Sequence, residues 1–201
     1  MIPVAKVKEP KDFKTKCGQK GKAWLKKNPG RKRGFPDYWS QFQRKLAEGF
    51  KNRCGWWAME IEDGDVDHYL SKNNYPAKAY DWDNYRYIAG SVNSSKRNHD
   101  DHVLDPFEVE AGWFEVQLPS MQLVRTDKVP KPLQAKADFT LQQLKLTRGT
   151  KVRRNRRRWY EAYKKWTQNP NTGLSIGGLE DIAPLVADAV KRWQATGRPL
   201  P

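Results

Sequence analysis

Three short runs decide how this chain is read: Asp65-Val66-Asp67-His68, Tyr80-Asp81-Trp82-Asp83-Asn84 leading into Tyr85-Arg86-Tyr87-Ile88-Ala89, and Ser91-Val92-Asn93-Ser94-Ser95-Lys96. The first reads as a strand end, because Val66 sits between polar residues just after the turn signal Asp63-Gly64. A polar loop through Lys72-Asn73-Asn74-Tyr75-Pro76 separates it from the apolar run Tyr85 to Ala89, a second strand, and a helix begins near Ser91. Strand, loop, strand and helix thus follow one another within a short stretch of sequence.

Successive strand side chains point to opposite faces, so Asp67 and His68 present a carboxylate and an imidazole on the two sides of one strand end. Phosphodiester hydrolysis needs an activated water and a positive clamp on the charge that develops at phosphate, which a general base and a divalent cation supply. Asn84 lies sixteen residues past His68 (84 minus 68), Asn93 nine further (93 minus 84), and Lys96 and Arg97 one helical turn beyond Asn93.

On these residues the chain resembles the HNH, or ββα-metal, endonuclease family over about residues 54 to 106. The resemblance implies His68 as general base, Asp67 and Asn93 as metal ligands, and Asn84 as the residue that braces the loop and orients the imidazole. Lys96 and Arg97 would lie near phosphate. An Asp and Asn oxygen pair suits magnesium, or manganese, better than structural zinc. Many relatives carry paired cysteines for zinc, whereas here Cys54 is followed by Gly55-Trp56-Trp57 and Val92 precedes Asn93; tryptophan packing in place of zinc is expected. The Asp-Val-Asp-His string is similar to that of RNA-guided CRISPR effectors. The closer likeness is to small stand-alone HNH proteins of bacterial phage-defence systems, such as the HNH subunit of Septu, for which an ATPase partner is typical. Asp65 is a candidate further ligand or a cap for the hairpin turn, and His99 and His102 read as solvated loop residues rather than ligands.

Charge supports a polyanionic partner. The 38 Lys and Arg against 23 Asp and Glu leave a net charge of +15. Residues 1–33 hold twelve basic and two acidic side chains, residues 55–110 five basic and twelve acidic, so basic arms flank a carboxylate-rich centre. Lys151-Val152-Arg153-Arg154-Asn155-Arg156-Arg157-Arg158, six basic residues in eight, begins a helix that reads as a DNA-backbone contact. Lys151, Arg153, Arg154, Arg156, Arg157 and Arg158 are its candidate phosphate ligands.

The length suits one folding unit with additions. Residues 1–36 read as a basic, partly flexible arm with a short helix near Ala23-Trp24-Leu25; residues 37–110 as a nuclease core entered by a helix that Asp37 caps. A hairpin is expected over Gly55 to Tyr69, with Trp57, Met59 and Ile61 alternating. Residues 111–201 read as short strands around Trp113 to Val116, then helices at Phe139 to Leu146, Thr150 to Trp166 and Leu179 to Trp193. The fold class is α+β, a ββα-metal core with an N-terminal helix and a helical C-terminal extension.

Two cysteines, Cys17 and Cys54, build no disulfide framework or four-ligand zinc site. The start lacks an apolar signal core and no window nears the roughly 18 apolar residues of a bilayer span. A cytoplasmic protein without membrane attachment is expected. One such site makes one nick per engagement, so a homo-oligomer is a candidate assembly for double-strand cleavage. Two rivals are a nucleic-acid-binding protein without turnover and a subunit that cuts only with its ATPase partner. RNA also fits as substrate.

Overall fold

A computed structural model describes all 201 residues. The fold is α+β, with helices around two small antiparallel sheets. The helices are α1 (Gln19–Lys27), α2 (Gln43–Gly49), α3 (Gly90–Lys96), α4 (Lys131–Gln143), α5 (Thr150–Gln168), α6 (Ile176–Ile182) and α7 (Pro184–Gln194). One sheet pairs β1 (Asp65–His68) with β2 (Tyr85–Ile88), the other β3 (Phe114–Gln117) with β4 (Gln122–Arg125). No helix is long and apolar enough to cross a membrane.

β1 and β2 pair with Asp67 opposite Arg86 and His68 opposite Tyr85, and α3 follows β2 directly. This corrects the hairpin expected over Gly55 to Tyr69. Trp56, Trp57, Ala58 and Met59 are all buried in succession, a pattern no half-buried strand allows. Their chain turns through Ala58 at φ 54° and is tied by Cys54 N–H to the Met59 carbonyl, leaving only a single bridge between Arg53 and Glu60. β1 takes its partner from across the long loop instead.

The larger core runs without a break from Cys54, Trp56, Ile88 and Val92 through Val116 and Leu141 to Tyr160 and Val190, so residues 37–110 and 111–201 share one interior. Cys54 is fully buried, its sulfur facing the backbone N–H groups of Trp56, Trp57 and Ala89. A second cluster joins the N-terminal segment, α2 and the loop before β2. There Phe13 meets Phe42, Trp82 and Tyr85 edge-on at centroid distances of 5.1, 5.1 and 5.8 Å. The basic arm is therefore docked. Phe13, Cys17 and Gly21 recur every four residues and form one inward stripe between lysines.

Gly21 lets the helix pass against the Tyr80 ring, since a Cβ there would stand 2.0 Å from it. Gly21→Ala is expected to lower stability by about 1–3 kcal/mol through overpacking, measured by thermal unfolding.

Asp37 accepts from Ser40 N–H at 2.9 Å, but the N-cap of the 3-10 turn that leads into α2 is Trp39, two residues after the cap expected at Asp37. The helix expected at Leu179 to Trp193 is two, since Pro184 starts α7 after Ala183 leaves helical geometry at φ −143°.

Candidate functional site

The end of β1 places Asp67 and His68 on opposite faces. His68 enters the aromatic cluster and is 7% exposed. Its ring lies edge-on to Trp39 at 4.7 Å and to Tyr85 at 5.0 Å. Nε2 is 2.8 Å from the Ala79 carbonyl, which also accepts from the Tyr85 hydroxyl at 2.9 Å. A carbonyl can only accept, so Nε2 carries the proton. Nδ1 makes no hydrogen bond within the chain and is not sealed from solvent. Burial, then the nearby Lys72 ammonium, holds the ring's pKa down at about 3. The imidazole is thus neutral, with the Nδ1 lone pair as its free basic site.

That depression has a stability consequence. Between the ordinary value of 6.5 and the folded value of about 3, the unfolded chain takes up a proton that the folded chain does not. The contribution is complete above pH 6.5 and is lost as pH falls toward 3. The difference in melting temperature between wild type and His68→Ala is therefore expected to shift against wild type from pH 7.5 to pH 4.5. A pH-independent difference in thermal melts would mean His68 titrates normally when folded.

Asn84 precedes β2 and spans the loop. Its Oδ1 accepts from Leu70 N–H at 2.8 Å, and its Nδ2 donates to the Leu70 and Lys78 carbonyls at 2.9 and 3.0 Å. Asn84 braces the loop that carries Ala79; the imidazole itself is held by Ala79, not by the Asn84 side chain.

Asp67 faces α3 and is 5% exposed. α3 crosses this face of β1, with Gly90 beside the Asp65 carboxylate at one end and Lys96 over Asp67 at the other. Lys96 is 0% exposed, and its Nζ lies 3.3 and 3.2 Å from Asp67 Oδ1 and Oδ2 and 3.0 Å from the His68 carbonyl. Lys96, expected beside phosphate, is turned inward in this structure. Although Oδ2 is close enough for an ion pair, it makes no hydrogen bond and is sealed from solvent. Burial pushes the Asp67 carboxyl upward while Lys96 opposes the shift.

Asn93 is exposed on α3, as is Arg97 just after it. No group of three or more His, Cys, Asp and Glu side chains is disposed to hold a metal. A magnesium site needs fewer protein ligands, because water and phosphate complete its octahedron. Asp67 Oδ2, 3.2 Å from the Lys96 ammonium and without a hydrogen bond, is a hard anionic oxygen of the kind such an ion takes, and Asn93 is exposed. Both are oxygen donors of the right type, but Asp67 is buried beneath Lys96 while Asn93 is exposed.

His99 is half-buried edge-on against Phe139 at 5.5 Å, and His102 is exposed. Between them Asp100 is buried, accepting from Ser71 N–H and Asn74 Nδ2, each at 2.6 Å. Asp100 pins the loop after His68, a role its place among polar neighbours concealed. Lys72 on that loop sits over the Trp39 ring at 4.1 Å, beside the imidazole. Neither Asp100 nor Lys72 carries a spacing signal; both are placed by the loop's three-dimensional course.

The basic helix α5 divides its charges. Arg156 is 1% exposed and donates to the Met121 and Leu146 carbonyls at 3.0 and 2.8 Å; burial lowers its pKa to about 9. Arg153 donates to Ser120 O at 3.0 Å and Arg157 to Pro119 O. These three clamp the turn between β3 and β4. Arg156 is thereby corrected from a phosphate ligand to a core residue: its position recurs with Val152, Tyr160 and Tyr163 on the buried face. Lys151, Arg154 and Arg158, spaced three and four apart, form an exposed stripe. Lys151 and Arg158 line a cleft of about 420 Å³ shared with Ala89 and Gly90 at the start of α3 and with Glu60, Glu62 and Asp63.

Comparison with protein-family models, with curated proteins and with solved structures finds no match for this chain.

Proposed function

We propose that this chain is a metal-dependent HNH endonuclease that hydrolyses DNA phosphodiester bonds. One observation carries the reading: a neutral His68, its tautomer set by the Ala79 carbonyl, ends a strand whose neighbouring residue is a buried carboxylate, ion-paired to Lys96, with one oxygen that makes no hydrogen bond. The order strand, braced loop, strand and helix supports a ββα-metal core around it.

In this reading Nδ1 of His68 takes a proton from water as its oxygen attacks phosphorus, and the bond to the departing sugar oxygen breaks. Asp67 and Asn93 would hold magnesium or manganese, which when bound neutralises charge developing on phosphate and leaving oxygen. Asn84 keeps Ala79 in register with His68, and Trp39 and Tyr85 confine the ring. Lys72 adds positive charge beside the base, which attracts phosphate but weakens the imidazole as a proton acceptor until the phosphate's negative charge offsets it. Lys151, Arg154, Arg158 and Arg97 supply backbone contacts without base reading, so affinity should fall steeply with salt. A role in phage defence and an ATPase partner rest on the family resemblance alone.

The test is supercoiled plasmid incubated with magnesium or manganese. Nicked circles that stop forming when EDTA is added are the expected result. Binding without conversion under either metal would favour the non-cutting protein or the partner-dependent subunit, and conversion of RNA but not DNA would reassign the substrate.

A further inference from the structure

We infer that Lys96 is the resident counter-ion of the Asp67 carboxylate and that a divalent cation enters only by displacing it. The inference rests on the metal-site reading above and extends it to how the site is loaded. Three observations carry it.

The Lys96 ammonium is fully buried, although lysine is among the residues least often found so. It lies within 3.3 Å of both Asp67 oxygens and 3.0 Å from the His68 carbonyl, the space next to the only carboxylate at the strand end. The pairing is incomplete, because Oδ2 of Asp67 faces the ammonium without a hydrogen bond and has no other partner.

A buried carboxylate without a counter-charge is strongly destabilising or takes up a proton, so a cation beside Asp67 is what keeps it ionised when no metal is bound. An ammonium and a divalent ion cannot share the same oxygens, since their repulsion at such separations is large in a poorly solvated site. Lys96 is the last residue of α3, and Arg97 follows at φ 49°, outside helical geometry. Departure of the ammonium would require the final turn of α3, which Gln143 Nε2 ties to α4 through the Ser95 carbonyl at 2.7 Å, to move. Exchange of one cation for another keeps Asp67 neutralised throughout and releases a positive side chain toward the phosphate that accompanies the metal. Metal and polyanion would then load together.

The test uses the wild-type chain under an amine-acetylating reagent, with each lysine followed by mass spectrometry as manganese is added. Lys96 is expected to be among the least reactive lysines without metal and to become reactive in step with manganese binding, while exposed Lys151 does not change. In parallel, free manganese is measured by electron paramagnetic resonance with wild type and Lys96→Met, which keeps an apolar stem of similar length. About tenfold tighter binding is expected for the variant, because the competing ammonium is gone. Manganese bound equally by both proteins, with Lys96 still protected, would overturn the exchange and leave the metal reading intact. Manganese bound by neither would overturn the metal site itself, and the exchange with it.

Discussion

Replacing His68 by alanine is expected to slow plasmid nicking by about a thousandfold, within the range that a positioned general base contributes. The effect should be on the rate and not on DNA binding, because the exposed Lys151, Arg154 and Arg158 stripe on α5 lies outside the imidazole's aromatic pocket. His68→Gln, which fills more of the space between Trp39 and Tyr85, should fall as far. Retention of most activity in either variant, with both folded by circular dichroism, would remove His68 as the base. The expectation follows from proton placement: Nε2 is committed to Ala79, so only Nδ1 can accept a proton from water.

The second large effect is on stability. Arg86 and Asp105 form a buried two-point ion pair, Nε to Oδ1 at 2.6 Å and Nη2 to Oδ2. The same guanidinium lies 3.8 Å over the Phe107 ring and donates to the Asp83 and Tyr85 carbonyls at 2.7 and 2.8 Å. It ties β2 to the corner that follows α3. Arg86→Met would leave the Asp105 carboxylate buried and unpaired, for which a loss of about 3–5 kcal/mol is expected. For a chain of this size that is a fall in melting temperature on the order of 10 °C. Asp105→Leu added to Arg86→Met should recover much of it, because removing both charges leaves none stranded. A single variant that melts with wild type would show the pair to be dispensable.

The elements that position the site were legible where pattern and burial agree. Tyr85, Tyr87 and Ile88 make a β-prone run around Arg86 that is buried on both faces, so its strand is readable directly, and the helix expected near Ser91 begins at Gly90. Trp56 to Met59 misled because alternation at Trp57, Met59 and Ile61 is also what a wholly buried turn shows when every second residue is considered alone. The inward stripe of Phe13, Cys17 and Gly21 was hidden by the lysines around it. A sequence also cannot say which cation in a run is inside. Lys96 and Arg156 have the same local appearance as exposed Arg97 and Arg154, and only helix phase against a specific partner decides their burial. For Arg156 that phase was available in Val152, Tyr160 and Tyr163; for Lys96 the partner, Asp67, lies twenty-nine positions away.

The candidate site follows the same division. Asp67 and His68 on opposite faces follow from strand geometry alone. The Ala79 carbonyl and the Lys72 cation belong to a loop with no regular period, anchored by Asp100 from beyond α3, and their meeting with His68 is a product of the fold.

The most direct measurement is a side-by-side time course on supercoiled plasmid, with wild type and His68→Ala each incubated in magnesium and in chelator. Nicked circles from wild type in magnesium alone are the expected result. Equal conversion by both proteins, or conversion that persists in chelator, would contradict hydrolysis by a neutral His68 beside a cation held at Asp67.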